Sequence, residues 1–154
     1  MKIASTIIAL LLALGATAQA QNIEQLKEKA EQGDPEAQFT LGEAYEDGRG
    51  VIESYTQALH WYRKASMQGH SSAQVSLATV YLIGQGVDQD YKEAYAWTIL
   101  VKATGELDEK EVEALDAVLE FLRERLTSDQ LAKAQQRASE LHEQIKANTT
   151  TNQP

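Results

Sequence analysis

Apolar positions in this chain return every three or four residues, as one face of a helix requires, and the whole pattern then returns again. Ala37, Leu41 and Tyr45 form one stripe, and Ala58, Trp61, Tyr62 and Ala65 form a second. At an offset of 36 residues, Ala37, Gln38, Leu41, Tyr45, Gly48, Gly50, Val51, Tyr55, Ala58 and Trp61 recur as Ala73, Gln74, Leu77, Tyr81, Gly84, Gly86, Val87, Tyr91, Ala94 and Trp97. A period of this length marks a helical pair that cannot bury its apolar face alone and is stacked on a copy of itself. The expected fold class is therefore all-α: an α-solenoid of two helix-turn-helix repeats, 34–69 and 70–105.

Punctuation residues place the helices. In the first repeat Asp34 can cap a helix that opens on Pro35 and runs to about Glu46. Asp47-Gly48-Arg49-Gly50-Val51 breaks it, because glycine supplies the positive φ of a tight reversal. Ser54-x-x-Gln57 has capping-box spacing and opens a helix over 55–68. The second repeat follows the same plan, with a start near Ser71, a first helix through Ile83, the loop Gly84-Gln85-Gly86-Val87, an Asp90-x-x-Glu93 box and a helix over 91–104. Trp61 and Trp97 share the phase of the alanine stripes and are expected in the core.

The flanks complete the stack. Ile23, Leu26 and Ala30 predict a short helix ended by Gly33; Gly33, Gly69 and Gly105 share the repeat spacing, so segment 21–33 is read as an N-terminal cap. Downstream, Trp97-Thr98-Ile99-Leu100-Val101 is apolar around more of its helix than Trp61-Tyr62-Arg63-Lys64, which implies cover on both sides. Two long stripes can supply it in a hairpin over 106–147. The first is Val112, Leu115, Leu119, Leu122 and Leu126 behind an Asp108 cap. The second is Leu131, Ala134, Ala138, Leu141 and Ile145 behind Thr127-x-x-Gln130, running to about Lys146. The short turn makes the pair antiparallel. Its seams either close on each other and on the preceding helix as a C-terminal cap, or stay partly open for a homodimer. Segment 148–154 is polar and aperiodic and is expected to be disordered.

Composition narrows the function. Met1-Lys2, the apolar run from Ile3 to Leu14 and Ala18-Gln19-Ala20 read as a signal peptide over 1–20, with cleavage after Ala20 into the periplasm or the medium and no membrane insertion of what remains. With 14 Lys and Arg against 23 Asp and Glu, the formal net charge of −9 disfavours nucleic acid. There is no cysteine, so stability must come from packing alone. No cofactor or metal is expected. His60, His70 and His142 lack partners at ligand spacing and are read as surface residues, and Gly48-x-Gly50 and Gly84-x-Gly86 lack the strand and Lys-Ser/Thr of a phosphate loop.

The motif Ala-Gln-x-x-Leu-(Gly/Ala)-x-x-Tyr-x-x-Gly-x-Gly-Val followed by Tyr-x-x-Ala-x-x-Trp resembles the Sel1-like repeat, a relative of the tetratricopeptide repeat, over residues 34–105. Ile52-Glu53-Ser54 departs from the usual Pro-x-Asp after the first loop, though Ser54 can still cap. The resemblance implies an α-solenoid whose first helices line a concave groove, used as a scaffold for protein assembly and often found in bacterial envelopes. The groove candidates are the first-helix positions that differ between copies: Glu36, Phe39, Thr40, Glu43 and Asp47, then Ser72, Val75, Ser76, Thr79 and Ile83. They read equally as an ordinary solvated face. If they bind, the groove is acidic at its first half and neutral to apolar at its second, which suits another protein with a basic or mixed basic and apolar segment. A structural homodimer through the C-terminal helices is the alternative. An envelope hydrolase acting on β-lactam or cell-wall substrates is a third reading, weakened by the missing cysteine and the lack of a Gly-x-Ser-x-Gly elbow.

Overall fold

The computed structural model describes residues 22–103 and 107–151, and every regular element among them is a helix. In chain order these are α1 over 22–31, α2 (Pro35–Asp47), α3 (Tyr55–Ser66), α4 (Ser71–Ile83), α5 (Tyr91–Ala103), α6 (Glu109–Arg123) and α7 (Ser128–Thr151). The signal peptide expected over 1–20 lies outside the described residues. None of the described helices is long and apolar enough to cross a membrane.

Helices α2 to α7 each start where a side chain accepts from their free N–H groups. Asp34 Oδ1 accepts from Ala37 N–H at 2.8 Å, and Ser54 Oγ from Gln57 N–H at 3.3 Å. One repeat after Asp34, the cap is a histidine: His70 Nδ1 accepts from Ala73 N–H at 3.2 Å. Asp90 Oδ1 bonds the N–H groups of Lys92 and Glu93 at 2.9 and 3.3 Å, while the Glu93 carboxylate turns to Arg137 instead of closing the box. Helices α2 and α4 both end on a left-handed glycine, Gly48 (φ 67°) and Gly84 (φ 75°), whose N–H reaches back to the last turn.

Consecutive helices α2 to α5 pack pairwise, and the repeated residues do the same work twice. Gln38 Nε2 donates to Ala30 O at 3.0 Å, and Gln74 Nε2 to Ser66 O at 3.4 Å. Both glutamines are buried, and each ties the start of one unit to the end of the helix before it. Ala30 of α1 joins Ala37, Leu41, Ala44 and Trp61 in a first core cluster, with Ile23 and Leu26 against it, so α1 covers the stack's first face. Leu77, Tyr81, Ala94, Tyr95, Trp97 and Leu100 belong to a larger cluster that also takes in Leu119, Leu122, Ala134, Ala138 and Leu141. Trp61 and Trp97 are both buried.

The last two helices close on α5 and make little backbone contact with each other. Helix α6 runs antiparallel to α5, since Lys102 pairs with Asp116 while the Tyr91 and Phe121 rings meet edge to face at 6.2 Å. Helix α7 runs parallel to it: Arg137 Nε lies 2.9 Å from Glu93 Oε1 near the start of α5, and Ala138 and His142 lie beside Leu100 and Ala103 near its end. Both helices thus lie on α5, and Leu119, Leu122, Ala134, Ala138 and Leu141 share one cluster with its side chains. The cause is that Ala94, Tyr95, Ala96, Trp97, Thr98, Leu100 and Val101 are all buried, so α5 offers apolar surface to both helices.

The polar end of the chain also departs from expectation. Residues 148–151 of the expected disordered tail are helical: Asn148 Nδ2 donates to Met67 O at 3.0 Å and ties this turn to the end of α3, and the hydroxyls of Thr149, Thr150 and Thr151 donate to carbonyls one turn back. Residues 152–154 lie outside the described part.

Candidate functional site

The ten groove candidates fall in one helical phase. Positions 36, 39, 40, 43 and 47 of α2 become 72, 75, 76, 79 and 83 of α4 at the repeat offset, while Ala37, Leu41, Ala73 and Leu77 turn inward. Glu36, Asp47, Ser72, Val75, Thr79 and Ile83 are exposed; Phe39, Thr40, Glu43 and Ser76 are half-buried. Val75 and Ile83, at 43% and 56% exposure, are large apolar side chains left in water.

The α2 half is acidic but partly answered from within the chain. Arg49 Nε lies 3.0 Å from Asp47 Oδ2, and its Nη2 lies 3.5 Å from Glu43 Oε2. Glu36 Oε2 sits 3.0 Å from His70 Nε2. Phe39 is stacked on the His70 ring at 4.7 Å and tilted against Tyr62 at 5.8 Å, so it belongs to the contact between repeats more than to an open groove. Tyr62 in turn donates its hydroxyl to Glu46, and burial first, with that bond second, pushes the phenol well above its ordinary range.

His70 corrects the reading of the histidines. His60 and His142 are exposed, whereas the His70 side chain is only 14% exposed, with one nitrogen on the α4 cap and the other on Glu36. It stands in the place of Asp34, where the repeat needs a hydrogen-bond acceptor, and an imidazole fills that need.

The candidates do not converge on one cavity. Thr40 borders a space of about 270 Å³ with Ile23, Leu26 and Arg49. Val75, Ser76 and Thr79 border about 120 Å³ with Glu46 and Gln85. Ile83 borders the largest, about 650 Å³, with Leu82, Tyr91, Ala117, Val118 and Phe121. That last space joins the α4 face to α6, and the α6 residues were absent from the expected groove. Phe121 lies off the leucine stripe of its helix, and an aromatic residue out of phase with its seam is the signal that would have found it. Among the described residues no group of His, Asp and Glu side chains is placed to hold a metal ion. The chemistry on offer is that of a surface: a carboxylate end, a run of small hydroxyls and an apolar end.

The Sel1 repeat family model matches residues 35–70 and 71–100. Over 44 residues the chain is 48% identical to the secretory immunoglobulin A-binding protein EsiB of Escherichia coli O6:H1, a stretch that is 29% of this chain and 9% of that protein. Among solved structures, it is similar to a protective antigen present in uropathogenic Escherichia coli strains and displaying an SLR fold, with TM-score 0.70 and 29% identity over 90% of this chain and 33% of that one. It is also similar to a Sel1 repeat protein from Oxalobacter formigenes, with TM-score 0.55 and 34% identity over 56% of this chain and 66% of that one. The chain therefore matches a small part of EsiB and spans a third of the antigen.

Proposed function

Because the chain is a Sel1-like repeat protein, an all-α stack of two such repeats between helical flanks, we propose that it is an exported, non-enzymatic adaptor that holds another protein along the outer faces of α2 and α4. One observation carries the reading. The face ends in the apolar space shared by Ile83, Val118 and Phe121, where large hydrophobic side chains stand open at the junction of two elements. A helix or extended segment laid along the face meets Glu36 and Glu43 at one end and Val75, Ile83 and Phe121 at the other, so it carries a basic residue ahead of apolar ones. EsiB is named for binding secretory immunoglobulin A, which supports a protein as the partner of this chain as well. Export rests on the leader-like segment 1–20, and periplasmic or extracellular residence follows from it.

Affinity capture from an envelope extract tests the reading. The chain should retain a specific protein that Glu36→Lys with Glu43→Lys releases about tenfold more readily, with less difference as salt is raised. Equal capture by both chains would remove the face from the account.

A further inference from the structure

Helix α3 carries a second surface of opposite charge. His60, Arg63 and Lys64 are all exposed on it and rim a cavity of about 590 Å³ with Leu59 and Met67 at its base and Asn148 of α7 at its edge. Among the described residues no carboxylate lines this space, although the chain as a whole is at −9. Lys64 Nζ lies 4.6 Å from the centre of the Trp61 ring, and the Arg63 guanidinium lies 5.7 Å from that of Tyr81, to whose hydroxyl it also donates. Among the described residues neither cation has a carboxylate within ion-pair distance, whereas most lysines and arginines there do. Aromatic faces hold the two charges in place without neutralising them.

The repeat shows what this strip is equivalent to. One period on, His60, Arg63, Lys64 and Met67 become Ala96, Ile99, Leu100 and Ala103 of α5. On α5 those positions are apolar and α7 packs over them. On α3 the same strip is cationic and open, and α7 reaches only its end, where Asn148 bonds Met67 O. A place that takes a helix in the second repeat is thus vacant in the first, with the charge of its rim reversed relative to the rest of the molecule.

We propose that the α3 strip docks a helical segment of a partner protein that carries carboxylates beside one or two aliphatic side chains. The carboxylates meet Arg63, Lys64 and His60, and the aliphatic groups reach Leu59 and Met67. This site lies on a different helix from the α2 and α4 face and has the opposite polarity, so the two surfaces select different partners and their failures are separable. A net charge of −9 on the chain favours a protein segment here over a nucleic acid, whose long run of phosphates would be repelled outside the strip.

The test is fluorescence anisotropy of a labelled acidic amphipathic peptide, the heptad Leu-Glu-Glu-Leu-Leu-Glu-Glu repeated so that its leucines share one helix face, against the full chain, with the Gln-for-Glu peptide as control. The acidic peptide should bind saturably and the control should not. Arg63→Glu with Lys64→Glu should weaken binding about tenfold or more, while Glu36→Lys with Glu43→Lys should not weaken it. Since Arg63 also packs on Tyr81, His60→Glu with Lys64→Glu is the second variant, and it carries the test should the first melt early. Absence of binding, equal binding by the charge-reversed chains, equal binding of the Gln peptide, or full displacement by single-stranded DNA at matched charge would each overturn the proposal.

Discussion

At Gly86 the loop between α4 and α5 passes the start of α3 so closely that a side chain has no room. With φ at 74°, a Cβ there would fall 2.4 Å from Tyr55 Cβ and 3.0 Å from the Tyr55 carbonyl carbon. Gly33 also has a positive φ, 99°, but nothing stands within 4 Å of its would-be Cβ. Gly86→Ala should therefore cost backbone strain plus a clash with main chain, about 2 to 4 kcal/mol, and Gly33→Ala about 1 kcal/mol from strain alone. Thermal melting of the two variants checks the order; equal melting temperatures would contradict it. Some of this scale was legible from residue types alone: glycines at the turns, Asp34 and Ser54 at caps, tryptophans on the buried stripe. What the recurring Gln38 and Gln74 do was not, because a buried amide is explained only by the carbonyl it meets, and that carbonyl belongs to the preceding helix. His70 was misread for the same reason, since its partners Glu36 and Phe39 lie a full repeat away.

Among the elements, α7 is the one whose packing decides whether the C-terminal helices are part of the fold. Leu141, 1% exposed, sits in the same cluster as Leu100 and Trp97. Leu141→Ala should lower stability by about 2 to 5 kcal/mol and shift the whole melting transition, α5 included. A loss below about 0.5 kcal/mol, or a separate early transition for α7, would mean that it is an appendage. The stripes of α6 and α7 and their caps could be read from periodicity, and the capping boxes at Asp108 and Thr127 are both made. That they cover α5 was expected from the apolar breadth of Trp97-Thr98-Ile99-Leu100-Val101, but the stripes did not state that the α6 and α7 backbones would make so little contact with each other. The Thr-rich end was misjudged because Asn148 ties it to Met67 O at the far end of α3, a tertiary contact that no local pattern announces.

For the whole molecule, the stack is a frame on which each repeat presents an outer face of its first and second helices. The first-helix face runs from carboxylates at Glu36 and Glu43 to the apolar opening at Ile83 and Phe121. Its phase was legible because the positions that differ between copies stand out against those that recur. Its far end was not, since Phe121 reaches it through tertiary packing of α6. The central claim is that a partner protein lies on this face, and site-specific photocrosslinking in exporting cells tests it most directly. With a photoreactive residue at Val75, Thr79 or Ile83, the chain should form a crosslinked band of one defined partner, and at Lys133 or Glu140 on the exposed side of α7 it should not. Crosslinks from the α7 positions alone, or none from Val75, Thr79 and Ile83, would contradict the account.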